Sequence, residues 1–187
     1  MVNIGKSVIS KRTVDNIHHC VDGIGGNGAI ENTSSMPRLM RDAIILENWE
    51  GTHNTLYMQV LRDIHKYQHD KIYLQVMAQK IASLGESQSA ARQLCEQKLA
   101  ELAAKLQDLH DSDDDVQTLK IQAVVSLMAN LFYYVSLIIE GEDQAENDAV
   151  DNKLKCAELF FSLFLNQGEL VKDDAYLALC AQVVAQA

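Results

Sequence analysis

The sequence predicts an all-α fold, and three observations carry that expectation. Its 187 residues include one proline and nine glycines, so little interrupts regular structure. Alanine, leucine, glutamine, glutamate and lysine, all strong helix formers, recur throughout. Apolar residues return at three- and four-residue spacing in segment after segment, while the alternation of a half-buried strand is scarce. A chain of this length can bury a substantial core as one domain with two subdomains.

Taken in order, a first helix is expected from about Ile4 to Val21, with Val8, Ile9, Val14, Ile17 and Val21 on its apolar stripe and Gly23 and Gly25 as its stop. His18-His19 lies near its C-terminal end, where the helix dipole favours a cation; adjacent positions diverge on a helix, which argues against a metal clamp there. A second helix begins at PRLMRDA, with Ser35 as N-cap and Pro37 in the first turn. Arg38 and Arg41 share one of its faces.

Thr52 or Asn54 caps the next helix, which runs through Leu56, Val60, Leu61 and Ile64 and continues, bent near His69-Asp70, to Leu84. His65 and His69 stand four apart, but no acidic or cysteine ligand accompanies them, so a solvated face is expected and no metal. Gly85-Glu86-Ser87 marks a turn, and Gln88 to Leu109 forms an amphipathic helix with Leu94, Leu99, Leu102 and Leu106 inward.

Asp111 to Asp115 has the D-x-D-x-D spacing of a calcium loop. Its sixth and twelfth positions, Val116 and Gln122, stand where glycine and glutamate are required, so these acids are read as helix-start residues. Val116 to Glu140 is expected as a central, largely apolar helix ended by Gly141-Glu142-Asp143. A further helix, Asn147 to Asn166, is broken by Gln167-Gly168, and Asp173-Asp174 start a last one over Ala175 to Val184. Phe160, Phe161 and Phe164 read as core, not as a cofactor box.

The chemistry concentrates between Gly25 and Asn54, which holds four of the nine glycines, the only proline and the only tryptophan. Gly25-Gly26-Asn27-Gly28 tolerates positive φ and can bring backbone N–H groups close to a phosphate or pyrophosphate; it serves equally as a helix C-cap and loop. No strand precedes it, so it is not a dinucleotide fingerprint. Further on, Glu50 stands beside Trp49 and Gly51, a setting in which desolvation raises a carboxylate's proton affinity toward what a general base needs.

The order GGNG, PRLMRDA, WEGTHN closely resembles the C-terminal helical domain of the acyl-CoA dehydrogenase family over roughly Lys6 to Tyr67. The resemblance implies a helical bundle of that type over residues 1–110, with residues 111–187 as an additional segment like the extra C-terminal helices of longer members. It implies an FAD-dependent oxidoreductase of fatty acid metabolism that oxidises the α,β bond of an acyl-CoA thioester, with Glu50 as catalytic base. Gly25 and Gly26 would contact the FAD of a neighbouring subunit, and Thr52 and Asn54 would also touch FAD. It further implies a homo-oligomer and an electron-transfer flavoprotein or similar acceptor. One departure is Asp22, where many members carry glutamine three residues before the first glycine. Family members also have an N-terminal helical and a middle β domain, expected to be absent here, so the chain alone is expected to be inactive. The alternative is a non-catalytic helical assembly module of the same fold.

The formal charge of −10 argues against nucleic acid and anionic membrane as partners, and against a DNA-associated relative of these enzymes. Cys20, Cys95, Cys156 and Cys180 form no CxxC pair and are expected to be reduced, buried residues of a cytoplasmic protein. The longest apolar run, Val124 to Ile139, is interrupted by serines, an asparagine and tyrosines, which predicts a core helix and no membrane span.

Overall fold

The computed structural model describes residues 2–148, 151–166 and 173–185. Among these there are eight α-helices and no strand: α1 (Val2–Ile24), α2 (Met36–Asn48), α3 (His53–Tyr67), α4 (His69–Ala82), α5 (Ser89–His110), α6 (Asp114–Asp148), α7 (Asn152–Phe164) and α8 (Asp174–Ala185). Short 3-10 turns occupy Gly25–Ala29 and Glu86–Gln88. The all-α expectation is met.

The chain divides into two compact units. The first comprises residues 1–68 and 112–126. Its core is built from Ile4 and Val8 of α1, Ala43 of α2, the stripe Leu56, Tyr57, Val60, Leu61 and Ile64 of α3, and Ile121, Val124 and Val125 of α6. The α3 stripe follows the three-four spacing that places one face of a helix inward. His65 and His69 are both exposed, as expected of a solvated face, and His65 also bonds through Nε2 to Oε1 of the buried Gln117 at 2.7 Å.

The second unit comprises residues 69–111 and 127–187. Tyr73, Met77 and Ile81 of α4, Cys95, Leu102, Leu106 and Leu109 of α5, and Met128, Leu131, Tyr134, Val135 and Ile138 of α6 form its interior. The Tyr73 hydroxyl donates to the Met128 carbonyl at 2.6 Å, and burial raises its pKa. Tyr133 meets Phe160 edge-on and Tyr134 lies against Phe161, but Phe160 and Phe161 are only half-buried and Phe164, expected in the core, is 42 % exposed.

Several boundaries differ from the sequence reading. The single bent helix expected from Leu56 to Leu84 is two helices, because Gln68 adopts a left-handed conformation (φ +53°) that ends α3. Ser35 caps α2 by position only. The hydroxyl that accepts from the Met36 N–H, at 3.0 Å, is that of Ser34. Thr52, not Asn54, is the N-cap position of α3. Gly141 does not end α6. It lies inside that helix and is buried, and a Cβ there would come within 2.8 Å of Leu154 Cγ and Cδ2. Close approach of α7, rather than a helix stop, is what glycine provides at this position. The expected break at Gln167-Gly168 lies outside the described residues.

Asp173 accepts from the Tyr176 N–H at 2.9 Å, and so begins the last helix in the way its sequence suggests. By length and composition α6 could cross a membrane, but half of its most apolar window is buried within the protein, as in a core helix. The cysteines are free thiols, yet only Cys95 is buried; Cys20 is exposed because α1 buries only Ile4, Ser7 and Val8, near its start. Burial and the neighbouring Glu96 carboxylate push the Cys95 thiol up to about 12.

Candidate functional site

Glu50 sits at the apex of the turn between α2 and α3, and its backbone is left-handed (φ +61°). Gly51 follows with φ +118°. A non-glycine residue at positive φ costs on the order of 1–2 kcal/mol, so something must hold this turn. Lys6 supplies that hold from the start of α1. Its ammonium donates to the carbonyls of Glu47 (3.5 Å), Trp49 and Gly51 (2.9 Å). Lys6 thereby engages carbonyls at the end of α2 and places a cation at the negative end of its dipole. A second brace crosses the turn, where His53 Nε2 and Glu47 Oε1 lie 2.5 Å apart. His53 also stacks on Tyr57.

The turn carries Glu50 outward. Glu50 is exposed and Trp49 is 64 % exposed. The desolvated surroundings expected for this carboxylate are therefore not made by the described residues of this chain. Burial would have to come from a surface laid over the turn. The adjoining surface of α2 suits such a cover, since Ala43 is its one buried residue while Leu39, Ile44, Ile45 and Leu46 are exposed.

Thr52 and Asn54 follow Glu50 closely, and both are exposed. Asn54 lines a shallow open groove along α3 with Thr55, Met58, Gln59 and Arg62. Gln59 accepts from the Asn3 side chain of α1 at 3.0 Å, which anchors one side of that groove. These residues leave polar groups on an open surface that a polar cofactor can reach.

Gly25 and Gly26 stand elsewhere, in the 3-10 turn that leaves α1. Gly25 has φ +74°, and a Cβ at either position would meet nothing within 4 Å, so this backbone is open to a ligand's close approach. Gly28 differs: a Cβ there would fall 2.8 Å from the Val21 carbonyl oxygen, so this glycine serves packing against α1. The two segments are well separated. Lys6 marks the Glu50 turn and Ile24 precedes Gly25, and eighteen residues of α1 at 1.5 Å each place them about 27 Å apart along the helix axis.

The braces were not legible from spacing. Lys6 lies more than forty residues before its acceptors, and nothing in its local sequence marks it. Glu47 and His53 flank Glu50 symmetrically, three residues to either side, which is the one signal that could have suggested their pairing. Arg41, expected on one face with Arg38, pairs with Glu31.

Residues 1–65 match the family described as acyl-CoA dehydrogenase, C-terminal domain. The matched segment contains GGNG, PRLMRDA and WEGTHN, and it ends close to Gln68, where the first continuous segment of the first unit also ends. No curated protein and no solved structure matches the chain.

Proposed function

We propose that residues 1–65 act as the C-terminal domain of an FAD-dependent acyl-CoA dehydrogenase. In this reading the Glu50 carboxylate takes the α-proton of an acyl-CoA thioester as the α,β double bond forms. Bound FAD supplies the acceptor for the β-hydride. Thr52 and Asn54 contribute hydrogen-bonding groups to the flavin, and Gly25 and Gly26 offer backbone to a second flavin.

The observation that carries the reading is the held, outward Glu50 turn within a segment that matches this family. Its positive φ is retained by the Lys6 hydrogen bonds to the carbonyls on either side of it. The separation of the two flavin-contacting segments supports a homo-oligomer. At about 27 Å apart along α1, Gly25-Gly26 and Thr52-Asn54 of one chain suit two different flavins better than one. The exposed apolar residues of α2 support the same view, since a covered surface would also desolvate Glu50.

The test is the absorbance spectrum of the protein purified from its full-length gene, followed by a series of acyl-CoA thioesters. Yellow flavin that bleaches on adding a thioester supports the reading and reports the substrate. A colourless protein that gains no colour with added FAD overturns it in favour of a helical assembly module.

A further inference from the structure

We propose that His18, His19 and Asp22, on the last turns of α1, form a binding site for a divalent transition ion of the zinc class. One ligand atom from each residue lies within 4.8 Å of the other two. His18 Nδ1 and Asp22 Oδ2 are already 3.7 Å apart. Adjacent positions on a helix point about 100° apart, but the long reach of two imidazoles lets His18 and His19 converge, with ring centroids 6.2 Å apart.

The donor set selects the ion. Two imidazole nitrogens with one carboxylate oxygen suit zinc, copper or nickel, whereas calcium and magnesium require oxygen ligands. Ligands about 2.0–2.2 Å from zinc stand a little over 3 Å from each other in a tetrahedron, so side-chain rotation must close the present separations modestly. All three residues are exposed, and the His18 and Asp22 side chains are 65 % and 68 % accessible. That rotation therefore displaces only solvent, and water can complete the coordination shell.

The surroundings favour a cation. The site lies at the C-terminal end of α1, the negative end of its dipole, and no basic residue occupies its last turn. Asp15 falls one turn earlier on the same face, three and four residues before the two histidines. The net charge of −10 raises the local concentration of cations around the whole protein. A bound ion would offset the Asp22 charge beside the Gly25-Gly26 turn. The metal site itself does not depend on the flavin reading.

The experiment titrates the tag-free full chain with zinc chloride in a calorimeter, alongside His18→Ala, His19→Ala and Asp22→Asn. All three positions are exposed, so circular dichroism is expected to show unchanged helicity. One equivalent of zinc should bind, and each substitution should weaken binding about tenfold or more, at least what loss of an outer-shell partner costs. Affinity should also fall on acidification, because imidazole must be neutral to ligate. Zinc should protect His18 and His19 from diethylpyrocarbonate, read by mass spectrometry. Absence of binding, variants that bind as tightly as the parent, or protection only at His53, His65, His69 or His110 would overturn the proposal.

Discussion

Lys6 Nζ donates to the Gly51 carbonyl oxygen at 2.9 Å, joining the start of α1 to the turn that presents Glu50. The same ammonium reaches the carbonyls of Glu47 and Trp49, so one side chain organises the backbone on both sides of a left-handed residue. Lys6→Met keeps the aliphatic stem and removes all three bonds. We expect a loss of about 1 kcal/mol in urea denaturation, within the range for hydrogen bonds at a partly exposed site. Amide exchange at residues 49–52 should accelerate more than exchange in α3. Unchanged exchange there would mean that the turn holds its shape without Lys6.

Glu50→Gln retains size and hydrogen bonding while removing the base. In the flavin-loaded full-length protein it should abolish acyl-CoA oxidation, a loss of at least about a hundredfold, given what a positioned general base contributes. The flavin spectrum should persist. Retained turnover would remove Glu50 from the base role, whereas loss of flavin would indicate a structural effect of the substitution.

Gly141→Ala tests whether this glycine is a helix stop or a packing contact. At an exposed helical site alanine would stabilise by up to about 1 kcal/mol. Here the new methyl would meet Leu154 Cγ and Cδ2 at 2.8 Å and its backbone nitrogen at 2.9 Å. Backbone cannot yield as a flexible side chain does, so destabilisation of about 1–3 kcal/mol is expected from overpacking. A stabilised variant would show that α7 withdraws at little cost.

Asp70 is only 4 % exposed, and its Oδ2 lies 2.9 Å from His110 Nε2, while Oδ1 has no hydrogen-bond partner among the described residues. His110→Ala would leave a buried carboxylate without this partner. The expected cost is about 1–3 kcal/mol by chemical denaturation, the range for leaving a buried acceptor without its hydrogen-bond partner. Asp70→Asn combined with His110→Ala should recover part of that loss. Equal stability of the single and double variants would show that the carboxylate charge is not what His110 offsets.

The all-α class could be read directly from the amino-acid order, because helical periodicity and the scarcity of breakers are local properties. The Glu50 turn was equally legible, since Trp49, Gly51 and the motifs around them are contiguous. Element ends that depend on one residue's neighbours in space were less so. Gly141 reads as a break along the chain, and only the approach of Leu154 shows why the helix continues through it. Gln68 carries no turn signal as strong as glycine, yet it takes the left-handed conformation that separates α3 from α4.

How Glu50 is held, and what surrounds it, came from packing in three dimensions. The apolar neighbour Trp49 suggested burial, but burial depends on what packs over a turn, and in this chain both residues lie at the surface. The hold comes from Lys6, far away in sequence, because an ammonium is recruited by whichever carbonyls the fold brings within its reach. Periodicity records which face of a helix turns inward; it does not record which distant side chain will meet the end of another helix.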